Sequence, residues 1–149
     1  MIVDKINPKY IQWLSPEDMH KQSLSWISQM NFIKDEQHFF DELITAYTRK
    51  LIETRKFAKN KDIIDSLNES RRNLKKIIKK IVKHENGLVI MVDGIDQKEE
   101  ESAYKNTHRE LIDEVNYYLN DYRTLKRQLF GMIKDIMKTE KQKRLIAKK

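Results

Sequence analysis

Residues 104–136 read YKNTHRELIDEVNYYLNDYRTLKRQLFGMIKDI, and their spacing decides the fold class. Tyr104, His108, Leu111, Val115, Tyr118, Tyr122, Leu125, Leu129, Met132 and Ile136 recur in alternating steps of four and three. That alternation lays a continuous stripe along one face of an α-helix, the pattern of a helix packed in a bundle or coiled coil. The spacing predicts a helix over 98–138. Gly131 interrupts it at about 1 kcal/mol relative to Ala, and the expectation is a kink or a close backbone contact there.

Working outward, a second stripe runs Trp26, Met30, Ile33, Gln37, Phe40, Ile44, Tyr47, Leu51, and a third runs Ile63, Leu67, Ser70, Leu74, Ile77, Ile81, His84. Between Glu17 and Asn86 there is no Gly and no Pro, yet the span is not one helix. At about 100° per residue the two stripes centre near 50° and near 200°, so an unbroken helix would turn its buried face away. The chain is expected to break around Phe57–Asp62, with Asn60 as C-cap and Asp62 as the next N-cap. At the start, Ser15 suits an N-cap, Pro16 the first helical position, and Glu17 and Asp18 the positive end of the helix dipole.

These readings predict an all-α, antiparallel up-down-up three-helix bundle with helices at about 17–57, 62–85 and 98–138. The single domain of 149 residues carries an N-terminal extended segment (1–14), an apolar connector (86–97) and a basic tail (139–149) with frayed helix. A middle helix half as long as its neighbours leaves a groove about 16 residues or 24 Å long. Leu88–Ile95, extended, spans roughly that distance and is expected to fill it. Met1–Ile6 would pair with it as a strand, or else a second copy would dock there, making Leu88, Val89, Ile90, Met91 and Val92 a protein interface.

Composition narrows the function classes. Without cysteine there is neither a disulfide framework nor a Cys-ligated zinc site. Three Gly and two Pro exclude collagen-like and Pro/Gly-rich chains. The longest uncharged apolar run, Gly87–Val92, is far below the ~20 residues of a membrane span. Met1–Tyr10 has no cationic start, apolar core and small-residue cleavage site, so the expected location is the cytoplasm.

The net charge of +7 hides a division. Residues 1–48 carry net −3, 49–84 net +9, 85–122 net −7, and 123–149 net +8. With a short middle helix, the first and third blocks share one end of the bundle, net −10, and the other two share the opposite end, net +17. Arg71, Arg72, Lys75, Lys76, Lys79, Lys80 and Lys83 form a row without an acid, supported by Lys141, Lys143 and Arg144. A lysine row without interleaved Glu forgoes the i,i+4 pairs that stabilise a helix, whereas it can track a phosphate backbone. The expectation is a non-enzymatic module that binds a polyanion, nucleic acid or a ribonucleoprotein, with tolerance for sequence, since no RNA-binding aromatic motif is present. The alternative is a self-associating structural or adaptor protein, a homo-oligomer built on the connector or on its oppositely charged ends. The amphipathic segment Leu129–Lys149 suits a membrane surface less well than it suits a continued core stripe.

No phosphate loop, nucleophile elbow or HExxH motif is present, and no cofactor is implied. His38/Glu42 and His108/Asp113 have spacings that four-helix di-iron carriers use. However, His38 and Glu42 lie off the stripe, and His20 and His38 are about 27 Å apart on one helix, too far to share a metal. His84 stands among lysines. The expected metal set is therefore empty, and a metal carrier or enzyme is the weakest reading. Glu36 and His108 remain as polar core candidates: a half-buried carboxylate calls for a basic or tyrosyl partner, and Tyr117, Tyr118 or Tyr122 is near by level.

Overall fold

A computed structural model describes residues 15–53, 55–92 and 98–147; at 88–92 and at 98 it describes the backbone. The chain is an all-α three-helix bundle, with α1 at Pro16–Ile52, α2 at Phe57–Val92 and α3 at Lys98–Ala147. No strand occurs among the described residues. The expected strand at Met1–Ile6 and the N-terminal extended segment lie outside them.

α1 begins as its sequence requires. The Ser15 hydroxyl accepts from the Asp18 amide (3.1 Å), and the Asp18 carboxylate accepts from the Ser15 amide (3.4 Å). This reciprocal cap satisfies donors that the first turn leaves free.

Two boundaries differ from expectation, and both make α2 longer. The break falls at 53–56 instead of Phe57–Asp62. Asn60 is no C-cap; it is buried inside α2, and its amide donates to the Lys56 carbonyl (2.9 Å). Asn60 stands three residues before Ile63, so the α2 stripe starts there, and only the short span after Leu51 is free to bend. At the other end, residues 86–92 are helical, not an extended connector. The four-three spacing of Ile77, Ile81 and His84 continues to Leu88 and Met91, and one Gly costs about 1 kcal/mol, too little to stop a helix with that register. The expected groove had rested on a short α2, and α2 is nearly as long as α1, 36 against 37 residues.

α3 continues to Ala147, past the frayed tail expected from residue 139. Glu140 takes an ion pair from Lys50 of α1 (2.6 Å), and that hydrogen bond holds its carboxyl below the usual range. Gly131 does not mark a close backbone approach, since a Cβ there would meet nothing within 4 Å. Gly131→Ala is expected to raise unfolding free energy by about 0.5–1 kcal/mol in a denaturant titration, through helix propensity and a less flexible unfolded chain.

The contacts group into two compact units, Met1–Ile33 with Asn73–Asn120 and Lys34–Arg72 with Asp121–Lys149. Each draws on all three helices, and each combines an early part of α1 or α3 with a late part of α2, or the reverse. In the first unit Met19, Trp26, Met30 and Ile33 pack with Leu74, Ile77 and Ile81 and with Leu111, Ile112 and Val115, all buried. In the second the core comprises Phe40, Ile44 and Leu51, Ile63 and Leu67, and Leu125, Leu129, Met132, Ile133 and Ile136. Phe130, half-exposed, meets the buried Phe40 ring edge-on at 5.1 Å.

Candidate functional site

Each unit carries a polar layer within its core. In the second unit Gln37, which occupies a stripe position on α1, donates to the Ser70 hydroxyl of α2 (3.0 Å), both buried. Beside it, Tyr122 donates to Glu36 Oε1 (2.7 Å) and Lys126 pairs with Oε2 (2.7 Å). Glu36 thus finds the tyrosyl and the basic partner that its position called for. His108 is not among them: it belongs to the first unit.

The first unit holds the densest group of chemically capable side chains. His84 and His108 are both buried, and His84 Nε2 lies 2.9 Å from His108 Nδ1. His108 Nε2 lies 2.5 Å from Gln22 Oε1 on α1. A carbonyl oxygen only accepts, so His108 carries its proton on Nε2 and leaves Nδ1 to accept. His84 therefore donates from Nε2, and in its neutral form its Nδ1 is an acceptor. The Tyr104 ring stacks on His84 at 3.9 Å between centroids, and Trp26 stacks on His108 at 4.9 Å. Burial pushes His84 down to about 4, while burial and then the charge of His84 push His108 down to about 3. Both rings are neutral at pH 7, and the chain His84 to His108 to Gln22 has one sense.

Around this chain the group is less well satisfied. His20 of α1 pairs with Glu85 of α2. The second Glu85 oxygen is buried without a hydrogen-bond partner among the described residues, and the Ser23 and Tyr104 hydroxyls are buried with only a weak interaction between them. Burial, and next the negative charge of Glu85, raise the Tyr104 hydroxyl above its usual range. Buried polar atoms of this kind cost stability unless something completes them.

A cleft of about 470 Å³ opens beside the chain, lined on the α2 side by Lys80, Lys83, His84 and Gly87 and on the α3 side by Tyr104, Thr107, Glu110, Leu111 and Glu114. His84 lines this cleft and has no further hydrogen-bond partner among the described residues, so its Nδ1 is the open position of the chain. A second cleft of about 450 Å³, in the second unit, lies between the end of α1, the start of α2 and α3. Its ionic groups are mostly paired, Lys50 and Lys143 with Glu140 and Lys56 with Asp135.

The basic residues expected to act together are distributed differently from the expectation. Lys75, Lys76, Lys79, Lys80 and Lys83 are exposed on α2 in the first unit. Lys80 pairs with Glu114 (2.8 Å), and among the described residues the other four form no ion pair. Arg71 and Arg72 belong to the second unit, paired with Asp41 and Glu69 at 3.4 Å each. Lys141, Lys143 and Arg144 are exposed on α3 of that unit. Lys80 of α2 thus stands level with Glu114 of α3. By sequence the first unit carries net −1 and the second net +8.

Sequence reasoning treated His84 as isolated and missed its bond to His108, as it missed His20 with Glu85. A signal was present: both histidines occupy stripe positions, and a stripe position is a core position. Among the described residues no three His, Cys, Asp or Glu are grouped to hold a metal ion, and His38 pairs with Glu42 on the surface (3.0 Å). No described helix is long and apolar enough to cross a membrane. The side chains of Leu88, Val89, Ile90, Met91 and Val92, expected at an interface, lie outside the described ones. No family model, curated protein or solved structure matches the chain.

Proposed function

We propose that this bundle is a non-enzymatic module that binds the phosphate backbone of nucleic acid through α2. The supporting observation is the lysine face itself: five exposed lysines within nine residues, four of them without an ion pair among the described residues. Leu74, Ile77 and Ile81 are buried on the same stretch, which fixes these lysines outward and keeps them from turning into the core. From Ser70 to His84, α2 carries no acid. Five like charges at three- and four-residue spacing repel each other, and a row of phosphates relieves that repulsion. Contacts made with the backbone alone carry no base information, so the binding is tolerant of sequence.

Binding of an unstructured oligonucleotide, followed by fluorescence anisotropy from 50 to 300 mM salt, tests the reading. The logarithm of affinity is expected to fall linearly with the logarithm of salt, with a slope of about −3.5 to −4.5 for five lysines at ~0.7–0.9 per phosphate. Absence of binding at 50 mM salt, or an affinity indifferent to salt, overturns it.

A further inference from the structure

The cleft beside His84 deepens this reading, on which it rests, by naming the nucleic acid. We propose that it receives a ribose of single-stranded RNA, with the 2′-hydroxyl donating to His84 Nδ1 and the neighbouring phosphate held by Lys80 and Lys83.

His84 Nδ1 is a nitrogen with one available role. The carbonyl of Gln22 places the proton of His108 on Nε2, His108 Nδ1 takes the proton of His84 Nε2, and the Nδ1 of His84, a residue that lines the cleft, is left as an acceptor. Trp26 stacks on His108 and Tyr104 on His84, and a half-turn of either ring would put a carbon where the bonded nitrogen stands and break the chain. A ligand must then bring a donor to this floor. On the α2 rim Lys83, which precedes His84, offers a cation without an ion pair among the described residues, and Lys80, one turn earlier, would exchange its Glu114 partner for an anion. A donor within a few ångströms of an anion describes a ribose hydroxyl beside its phosphate; deoxyribose has the anion without that donor. On the α3 rim, Thr107 and Glu110 add acceptors that suit the exocyclic amines of a base. Lys80 and Lys83 also belong to the lysine face, so one strand can lie along α2 and place one sugar in the cleft.

Gly87 provides the test. A Cβ built there would meet Tyr104 Cε2 at 3.9 Å, ordinary van der Waals contact, and Gly87 lines the cleft, so a larger side chain at this position takes up cleft space. The experiment measures the affinity of the full chain for RNA and DNA oligonucleotides of the same sequence at 100 mM salt, for the parent and for Gly87→Leu. The parent is expected to prefer RNA by roughly three- to tenfold, the worth of one neutral hydrogen bond. Gly87→Leu is expected to bind both strands with the parent's affinity for DNA. His84→Phe, which keeps a ring against Tyr104 and loses the acceptor, is expected to lose the preference in the same way. Equal affinity of the parent for RNA and DNA overturns the ribose assignment and leaves backbone binding standing. Binding to neither overturns both. A preference for RNA that persists in Gly87→Leu and in His84→Phe places the discrimination elsewhere and also overturns the assignment.

Discussion

Charge reversal at Lys75, Lys76, Lys79 and Lys83 to Glu is expected to lower affinity for an oligonucleotide at least a hundredfold near 0.15 M salt, and to flatten the salt slope by about 3 to 4. Each lysine on a phosphate contributes roughly one unit to that slope, and each new carboxylate adds repulsion. The four positions are exposed and free of ion pairs among the described residues, so the substitutions break no described bond. Lys80 is kept, because a carboxylate there would face Glu114, its present partner at 2.8 Å. Like charges at three- and four-residue spacing are replaced by like charges, so circular dichroism and the unfolding midpoint are expected to stay close to those of the parent. Neutralising Lys141, Lys143 and Arg144 to Gln serves as the comparison. A reversal variant with intact helix content and unchanged affinity would remove the α2 face from the function.

Acid is expected to unfold the first unit through its histidines. Unfolded His84 and His108 take up a proton near pH 6.5. In the folded unit burial holds them near 4 and 3, with the charge of His84 adding to the shift at His108. Depressed values mean that the unfolded state binds more protons between these limits. The stability is therefore fully present above about pH 6.5 and is lost progressively as the pH falls towards 4 and then 3. The combined loss is several kcal/mol, since one unit of separation corresponds to about 1.4 kcal/mol and the two sites titrate as a coupled pair.

Geometry fixes the order of events. The first proton goes to His84 Nδ1, on a ring that lines the cleft together with Lys80, Lys83, Glu110 and Glu114. On the core side His20, Glu85 and Tyr104 surround the pair. A proton on His108 Nδ1 would meet the N–H of His84 and break the chain. Urea titrations at pH 7.0, 5.5 and 4.5, for the parent and for a variant with both histidines changed to Gln, measure the effect. The parent should lose stability steeply over this range and the variant should lose much less. Parallel curves would assign acid sensitivity to the carboxylates instead.

Much of the fold was legible in residue spacing, and the reason lies in particular positions. Trp26, Met30, Ile33, Phe40, Ile44 and Leu51 on α1, and Leu111 to Ile136 on α3, were read from a four-three alternation because burying one face of a helix requires it. The same alternation placed Gln37, Ser70, His84 and His108 in the core, although their chemistry argued for the surface. Glu36 was legible as a half-buried carboxylate in need of a partner, and Tyr122 as one candidate for it. Local turn signals were weaker guides. Asn60 and the pair Asn86-Gly87 resembled helix ends, and both were overridden by a stripe that runs through them.

The sequence by itself determined that there are three helices, which face of each is buried, and where the first is capped, because these follow from period and from the chemistry of single residues. Only the tertiary structure decided which residues on different helices meet. The length of α2 set the register of its lysines against α3, and with it the pairing of Lys80 with Glu114 and the modest division of charge between the units. It also brought His84 to His108 and His108 to Gln22, residues 24 and 86 positions apart in the chain. A helix stripe states that a side chain points inward; the partner that satisfies it is fixed by the axial offset between helices, which no single helix encodes.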